Sequence, residues 1–147
     1  MKVRKRIRFL IPAVAGLTVG LLVLTAGSAQ GATRWWDGGT TDIAGNGNSG
    51  GGGGAGTWNT TIKNWDAGAS AHVAWVNANN DTAVFGGTAA TVALGTGIQV
   101  GGLQFDIAGY TVSGNTLTFG AAGLITANAS ATISSILGGN AAITKTG

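Results

Sequence analysis

The chain has 147 residues, enough for one domain, with 28 Gly, one Pro, no Cys, 9% charged residues and a formal charge of +3. The lack of Cys excludes thiol catalysis and thiolate metal sites, and leaves packing and backbone pairing to hold the fold. The positive charge excludes less than it suggests, because it is unevenly spread.

Lys2, Arg4, Lys5, Arg6 and Arg8 crowd the first eight residues, followed by an apolar run from Phe9 to Leu24 and the small residues Ala26-Gly27-Ser28-Ala29. A basic start, an apolar middle and a small-residue end are the layout of a secretory signal peptide, expected to be helical. Cleavage after Ala29 places Gly27 at the −3 position, with Gly31 as the neighbouring alternative. The competing reading is an uncleaved anchor, but about 16 apolar residues interrupted by Pro12, Gly16 and Gly20 are short for a span of roughly 20. Residues 30–147 then carry Arg34, Lys63 and Lys145 against Asp37, Asp42, Asp66, Asp81 and Asp106, a formal −2. The exported part is slightly acidic and lacks the basic face that nucleic acid or an anionic membrane surface requires.

This part has no Glu, no Met and no Pro, and alternates Thr, Val, Ile and Ala with Gly and Asn. That is β-structure with Gly and Asn turns. Residues 30–81 hold all five Trp (Trp35, Trp36, Trp58, Trp65, Trp75) and the run Gly45 to Gly56. They read as an irregular Trp-rich N-terminal cap with short strands near the Trp residues and a flexible glycine loop between them.

From Thr82 the pattern is regular. Thr82 to Phe85, Thr91 to Leu94, Ile98 to Val100, Leu103 to Phe105, Tyr110 to Val112, Leu117 to Phe119, Leu124-Ile125, Ala131 to Ile133, Ile136-Leu137 and Ala142-Ile143 are short alternating pieces separated by Gly, Asn or Ser. A small residue precedes an aliphatic one at 103, 124 and 143, steps of 21 and 19. A period near 20 points to coils of a parallel β-solenoid, each burying its inward face on its neighbours. An antiparallel meander closing into a sandwich is the alternative. The predicted fold is therefore all-β: a signal-peptide helix over 1–29, the cap over 30–81, and a right-handed parallel β-helix fragment over 82–147. The last segment stops in mid-coil, so truncation and self-association through an open coil end are expected.

The order of motifs is informative. Trp36-Asp37-Gly38-Gly39, Gly56-Thr57-Trp58-Asn59, Asn64-Trp65-Asp66 and Asn80-Asp81-Thr82-Ala83-Val84-Phe85-Gly86-Gly87 lead to Val100-Gly101-Gly102-Leu103-Gln104-Phe105, then to Tyr110 through Phe119 and to Ala142-Ile143-Thr144-Lys145-Thr146-Gly147. This series resembles the N-terminal region of bacterial autotransporter-associated β-strand repeat proteins, over nearly all of residues 33–147. The resemblance implies a secreted or surface-displayed β-helical passenger, usually followed by a repeat array and an outer-membrane barrel or sorting signal that this sequence lacks. It supplies no general catalytic residues.

Few groups offer chemistry. His72 is the single His, and Asp66, Ser70 and His72 are close in sequence, but a triad is defined by geometry. Asp66, Asp81 and Asp106 invite a two-carboxylate glycosidase or polysaccharide-processing reading, yet each adjoins turn residues where Asp bonds its own backbone. Gly45-Asn46-Gly47-Asn48-Ser49-Gly50 matches the dinucleotide pattern only formally, with neither strand before nor helix after. Asn77, Asn79, Asn80 and Asp81 offer oxygens for Ca²⁺ but one carboxylate, and read better as an Asx-rich turn. No catalytic residue, metal or cofactor is assigned.

The Trp residues leave two readings. Buried, they seal the N-terminal end of the solenoid; exposed, Trp58, Trp65 and Trp75 stack on sugars in a carbohydrate-binding module. The expected function is structural or adhesive, at the cell surface, with glycans or other cells as partners and no nucleic acid. Contact with the membrane is expected only through the signal peptide or an absent C-terminal anchor.

Overall fold

In the computed structural model, which describes residues 31–38, 50–68 and 71–147, each strand is short because a Gly, Asn or Ser soon turns the chain. Eleven strands are described: β1 (Thr33–Trp36), β2 (Gly56–Trp58), β3 (Trp65–Asp66), β4 (Thr82–Phe85), β5 (Thr91–Leu94), β6 (Ile98–Phe105), β7 (Thr111–Gly114), β8 (Leu117–Ala127), β9 (Thr132–Ile133), β10 (Leu137–Gly138) and β11 (Ile143–Thr146). The signal peptide expected over 1–29, and most of the formal dinucleotide pattern, lie outside the described residues.

Two sheets run along the molecule. One has the order β10-β8-β6-β4-β1-β3, with β11 also on β8, and the other the order β2-β5-β7-β9. Every strand pair is parallel except β1 with β3. Partners such as Thr82 and Gly102, Thr91 and Thr111, and Ile98 and Leu117 are 19 to 20 residues apart, as a solenoid with coils of about 20 residues requires. The meander is thereby excluded: from β4 to β10 the chain alternates between the two sheets, and like positions of successive coils pair in parallel.

Inward positions form rows of similar side chains. Val92 sits over Val112 and Val112 over Ile133, while Ile98 sits over Leu117 and Val100 over Phe119. Phe85 and Phe105 are in register, with rings stacked at 5.0 Å and 14°. The rows thin toward the far end. Ile98 and Leu117 are 1% and 0% exposed, whereas Leu137, in the same row, is 44% exposed.

The register corrects one sequence equivalence. Leu103, Leu124 and Ile143 do not occupy the same position: Leu103 pairs with Ile125, Leu124 with Gly102 and Thr144, and Ile143 with Gly123. The cause is an irregularity in β8, which has four residues between Phe119 and Leu124 where β6 has only Gly101 between Val100 and Gly102. Strand side chains alternate, so the displacement puts Leu124 outside, at 39% exposure, while Leu103 stays buried; Ile143 falls on the inward face with Lys145 and is 41% exposed on the last described strand.

The glycine run also departs from expectation. Its described part is ordered by backbone pairing: Gly53 bridges Asp37 on one side and Thr88 on the other. Gly53 N donates to Trp36 O, Gly54 N to Thr88 O, and Thr88 N to Gly52 O. Glycine is needed for the close approach, since a Cβ on Gly53 would lie 2.4 Å from Thr88 O, at a φ of +77°. Composition signalled freedom, whereas the rung uses the missing side chain for proximity.

Gly53→Ala should therefore lower unfolding free energy by about 1–3 kcal/mol, whereas Gly86→Ala, with nothing within 4 Å of the added carbon, should change it by about 0.5 kcal/mol or less. Urea titrations of the two variants beside the parent chain provide the check.

Candidate functional site

The chemistry-bearing residues gather at the β1 end of the solenoid. β3 runs antiparallel along β1, with Trp36 opposite Trp65 and Trp35 opposite Asp66, and so covers the edge that a further coil would otherwise occupy. Trp65 also exchanges two backbone hydrogen bonds with Val73, which brings His72 inward. Trp36, Trp58, Trp65 and Trp75 are 0%, 0%, 0% and 1% exposed.

The rings pack edge to face and tilted: Trp36 and Trp65 are 5.0 Å apart, Trp58 and Trp65 4.7 Å, and Trp58 and Trp75 4.8 Å. Phe85 continues the cluster 5.9 Å from both Trp58 and Trp65. Trp36 Nε1 donates to Gly54 O at 2.8 Å and Trp75 Nε1 to Gln99 O at 2.9 Å, tying the glycine rung and β6 to the cap. Trp58, Trp65 and Trp75 thus have no open face to stack on a sugar. The sugar-stacking reading of these three indoles is corrected by burial: their apolar area covers the first coil, a position that composition alone leaves undecided. Trp35 is the half-buried member of the five.

A polar pair is enclosed with the indoles. His72 Nε2 lies 3.3 Å from Asp37 Oδ2, with both side chains almost fully buried. The grouping of Asp66, Ser70 and His72 is not assembled as read: His72 meets Asp37, Ser70 lies outside the described residues, and Asp66 Oδ1 accepts from Gly68 N. Asp81 bonds Arg34 at 3.0 Å and Ala32 N at 2.8 Å, whereas Asp106 is exposed and accepts from Gln104 and Asn128. Asp81 and Asp106 stand at opposite ends of the parallel β4 and β6, so the three carboxylates have separate local partners rather than one cleft. Among the described residues no three His, Cys, Asp or Glu groups converge as metal ligands.

The Asn cluster has a structural use. Asn77 opens a 3-10 turn, Asn77–Asn79, and its side chain accepts from Gln99 N and donates to Gly97 O. Asn80 is left-handed at φ 52° and accepts from Gln99 Nε2. These bonds fix the corner before β4 against β6.

Tyr110 joins the cap to the next coil. Its hydroxyl lies 2.5 Å from Gly86 O and 3.1 Å from Thr88 O, acceptors that favour the protonated phenol. Burial, then the Asp37 carboxylate, pushes this phenol from 10.0 up to about 12.

Sequence reasoning missed Arg34. It falls in the inward row Arg34, Ala83, Leu103, Ile125 and Lys145, whose inner members are apolar. The nearest available signal was the nearby Asp81, but a separation of 47 residues hid the pair. Two shallow hollows flank the sheets. One, of about 200 Å³, has Thr33, Thr82, Gly102, Gln104, Leu124 and Thr126 on its walls. The other, of about 190 Å³, lies at the far end beside Phe105, Ile125, Ala131, Ile133 and Lys145.

Trp65→Ala should cost about 3–5 kcal/mol and Trp35→Ala about 1 kcal/mol, a contrast readable in urea midpoints and near-UV circular dichroism. For Tyr110 the sign follows from the raised folded value. Below pH 10 both states keep the proton; between pH 10 and 12 the unfolded state loses it first, so stability falls as pH rises. The slope from this group should approach about 1.4 kcal/mol per pH unit, and Tyr110→Phe should flatten it in alkaline melts.

No family model and no solved structure matches the chain. It is 43% identical over 131 residues to "Adhesin BmaC autotransporter" of Brucella suis biovar 1 (strain 1330), an alignment covering 85% of this chain and 4% of that protein. The chain therefore spans a small fraction of the relative's length. Across most of its residues it is related to one segment of an autotransporter adhesin, and this bears out the resemblance to autotransporter-associated β-strand repeat proteins carried by its Trp, Gly and Asn motifs.

Proposed function

We propose that the chain is a non-catalytic segment of an exported, cell-surface adhesive passenger. The observation that carries this reading is 43% identity to the adhesin segment across most of the chain, on a parallel β-solenoid frame. Stacked coils repeat outward side chains at the strand spacing of about 4.8 Å, a spacing suited to many weak contacts made together. The sealed Trp end gives that array a fixed start.

The outward rows are neutral and hydroxyl-rich. Thr33, Thr82, Gly102, Leu124 and Thr144 occupy one register line, and Trp35, Val84, Gln104, Thr126 and Thr146 the next, with Gly102 and Val84 buried within them. Contact through such rows gains strength by multiplicity rather than by one deep pocket. Attachment of this type is expected to depend weakly on salt, since the surface lacks concentrated charge.

A segment exchange tests the reading. Replacing the matching part of the Brucella adhesin with this chain should preserve both surface display and attachment to host cells, while the same exchange carrying Trp65→Ala should lower display. Normal display with attachment abolished would count against an adhesive role for this segment and leave the solenoid frame intact.

A further inference from the structure

The sequence contains three Asn-x-Ser/Thr triplets, Asn59-Thr60-Thr61, Asn80-Asp81-Thr82 and Asn128-Ala129-Ser130. This pattern is the acceptor motif for N-linked sugar in exported chains, and it requires an accessible carboxamide nitrogen on a surface loop. The fold treats the three very differently.

Asn80 is committed to the solenoid. Its Oδ1 accepts from Gln99 Nε2, Asp81 is buried against Arg34, and Thr82 begins β4 with its N–H bonded to Ala32 O. A transferase would have to disturb the corner that these bonds hold, although Asn80 itself is half-buried, as Asn59 is. Asn128 is exposed, but the nitrogen to be modified donates to Asp106 Oδ1 at 2.8 Å, and Ala129 N is held by Phe105 O.

Asn59 is arranged the other way round. Its Oδ1 accepts from Thr61 N at 2.9 Å, Thr61 Oγ1 at 3.1 Å and Ile62 N at 2.8 Å. Among the described residues its Nδ2 has no hydrogen-bond acceptor, and Thr60 to Lys63 are all exposed. The nearby backbone is that of Gly95, where an added Cβ would make only an ordinary 3.8 Å contact with Nδ2. The Thr61 hydroxyl of the triplet is thus already on the carboxamide oxygen, drawing electron density from the N–H bonds, on a residue that is itself half-buried beside the exposed Thr60 to Lys63.

We propose that Asn59 is an N-glycosylation acceptor, modified in the folded chain by a sugar activated as a diphosphate ester. In the transfer the sugar C1–O bond to the diphosphate breaks, with its electron pair leaving on the diphosphate oxygen. Asn59 Nδ2 forms the new C1–N bond and gives one proton to a base of the transferring enzyme. Nothing is oxidised or reduced. The added sugar would stand beside Ile62, which is 39% exposed, and cover apolar surface at the edge of the Trp cap. The inference rests on the loop geometry and is independent of the adhesive reading.

Peptide mass spectrometry of the chain recovered from its native cells is the test. A sugar is expected on the peptide containing Asn59 in the parent, in Asn128→Gln and in Thr61→Ser, and should be absent in Asn59→Gln and Thr61→Val, with circular dichroism showing that each variant folds. A single hexose identifies a nucleotide-activated donor, and a preassembled oligosaccharide a lipid-linked one. A fully unmodified Asn59 peptide in the parent, or sugar on Asn80 or Asn128 instead, would overturn the proposal.

Discussion

The structure depends on register between coils. A parallel solenoid works only if the inward residue of one coil lies over an inward residue of the next, because side chains alternate faces and a slip of one residue exposes a whole row. Phe85 on Phe105 and Val92 on Val112 meet this condition, and the rings and methyl groups form one continuous core. The same condition makes the ends special. A coil without a neighbour leaves its inward face in water and its strand edge unpaired.

At the β1 end both needs are met by the same residues. β3 satisfies the β1 backbone, and four indoles replace the area that another coil would have covered. This aromatic volume is held by ring packing, by two indole hydrogen bonds and by close backbone approach, while Trp58 Nε1 and Trp65 Nε1 are buried without a partner among the described residues. Trp36 and Trp75 bond backbone carbonyls, and the glycine rung passes where any side chain would collide. The enclosed Asp37 and His72 lie inside the same shell, and Asp37 is felt as far as the Tyr110 phenol. The Tyr110 hydroxyl also bonds Gly86 O and Thr88 O, so the cap and the next coil are joined by hydrogen bonds as well as by packing.

Much of this was legible in residue order. Period-two pieces and a spacing near 20 specified short parallel strands, and the concentration of Trp in one segment pointed to a sealed end. Two features were not legible for physical reasons. The four-residue irregularity before Leu124 shifts the face of every later residue in its strand, yet local hydrophobicity is unchanged by it, so Leu103, Leu124 and Ile143 looked equivalent. The glycine run was read as freedom because composition reports chain entropy, while close backbone approach is a property of the neighbour, here Trp36 and Thr88. The cap residues escaped assignment as a site for a related reason: a buried and an exposed indole have the same sequence signature.

Arg34, Asp81 and Lys145 stand at the two ends of one core row. The row that runs Ala83, Leu103 and Ile125 is flanked by Arg34 on one side and Lys145 on the other. Arg34 is neutralised by the buried Asp81, so it closes the row within the sheet. Lys145 has a different environment: it borders the apolar hollow formed with Ile125, Ala131 and Ile133, and its ammonium reaches Gly147 O at 2.6 Å. Its methylene stem can lie over this apolar surface while the charge stays in water. The two ends of the described solenoid are thus chemically unlike. One is covered by aromatic area and a paired cation, and at the other Lys145 borders an apolar hollow.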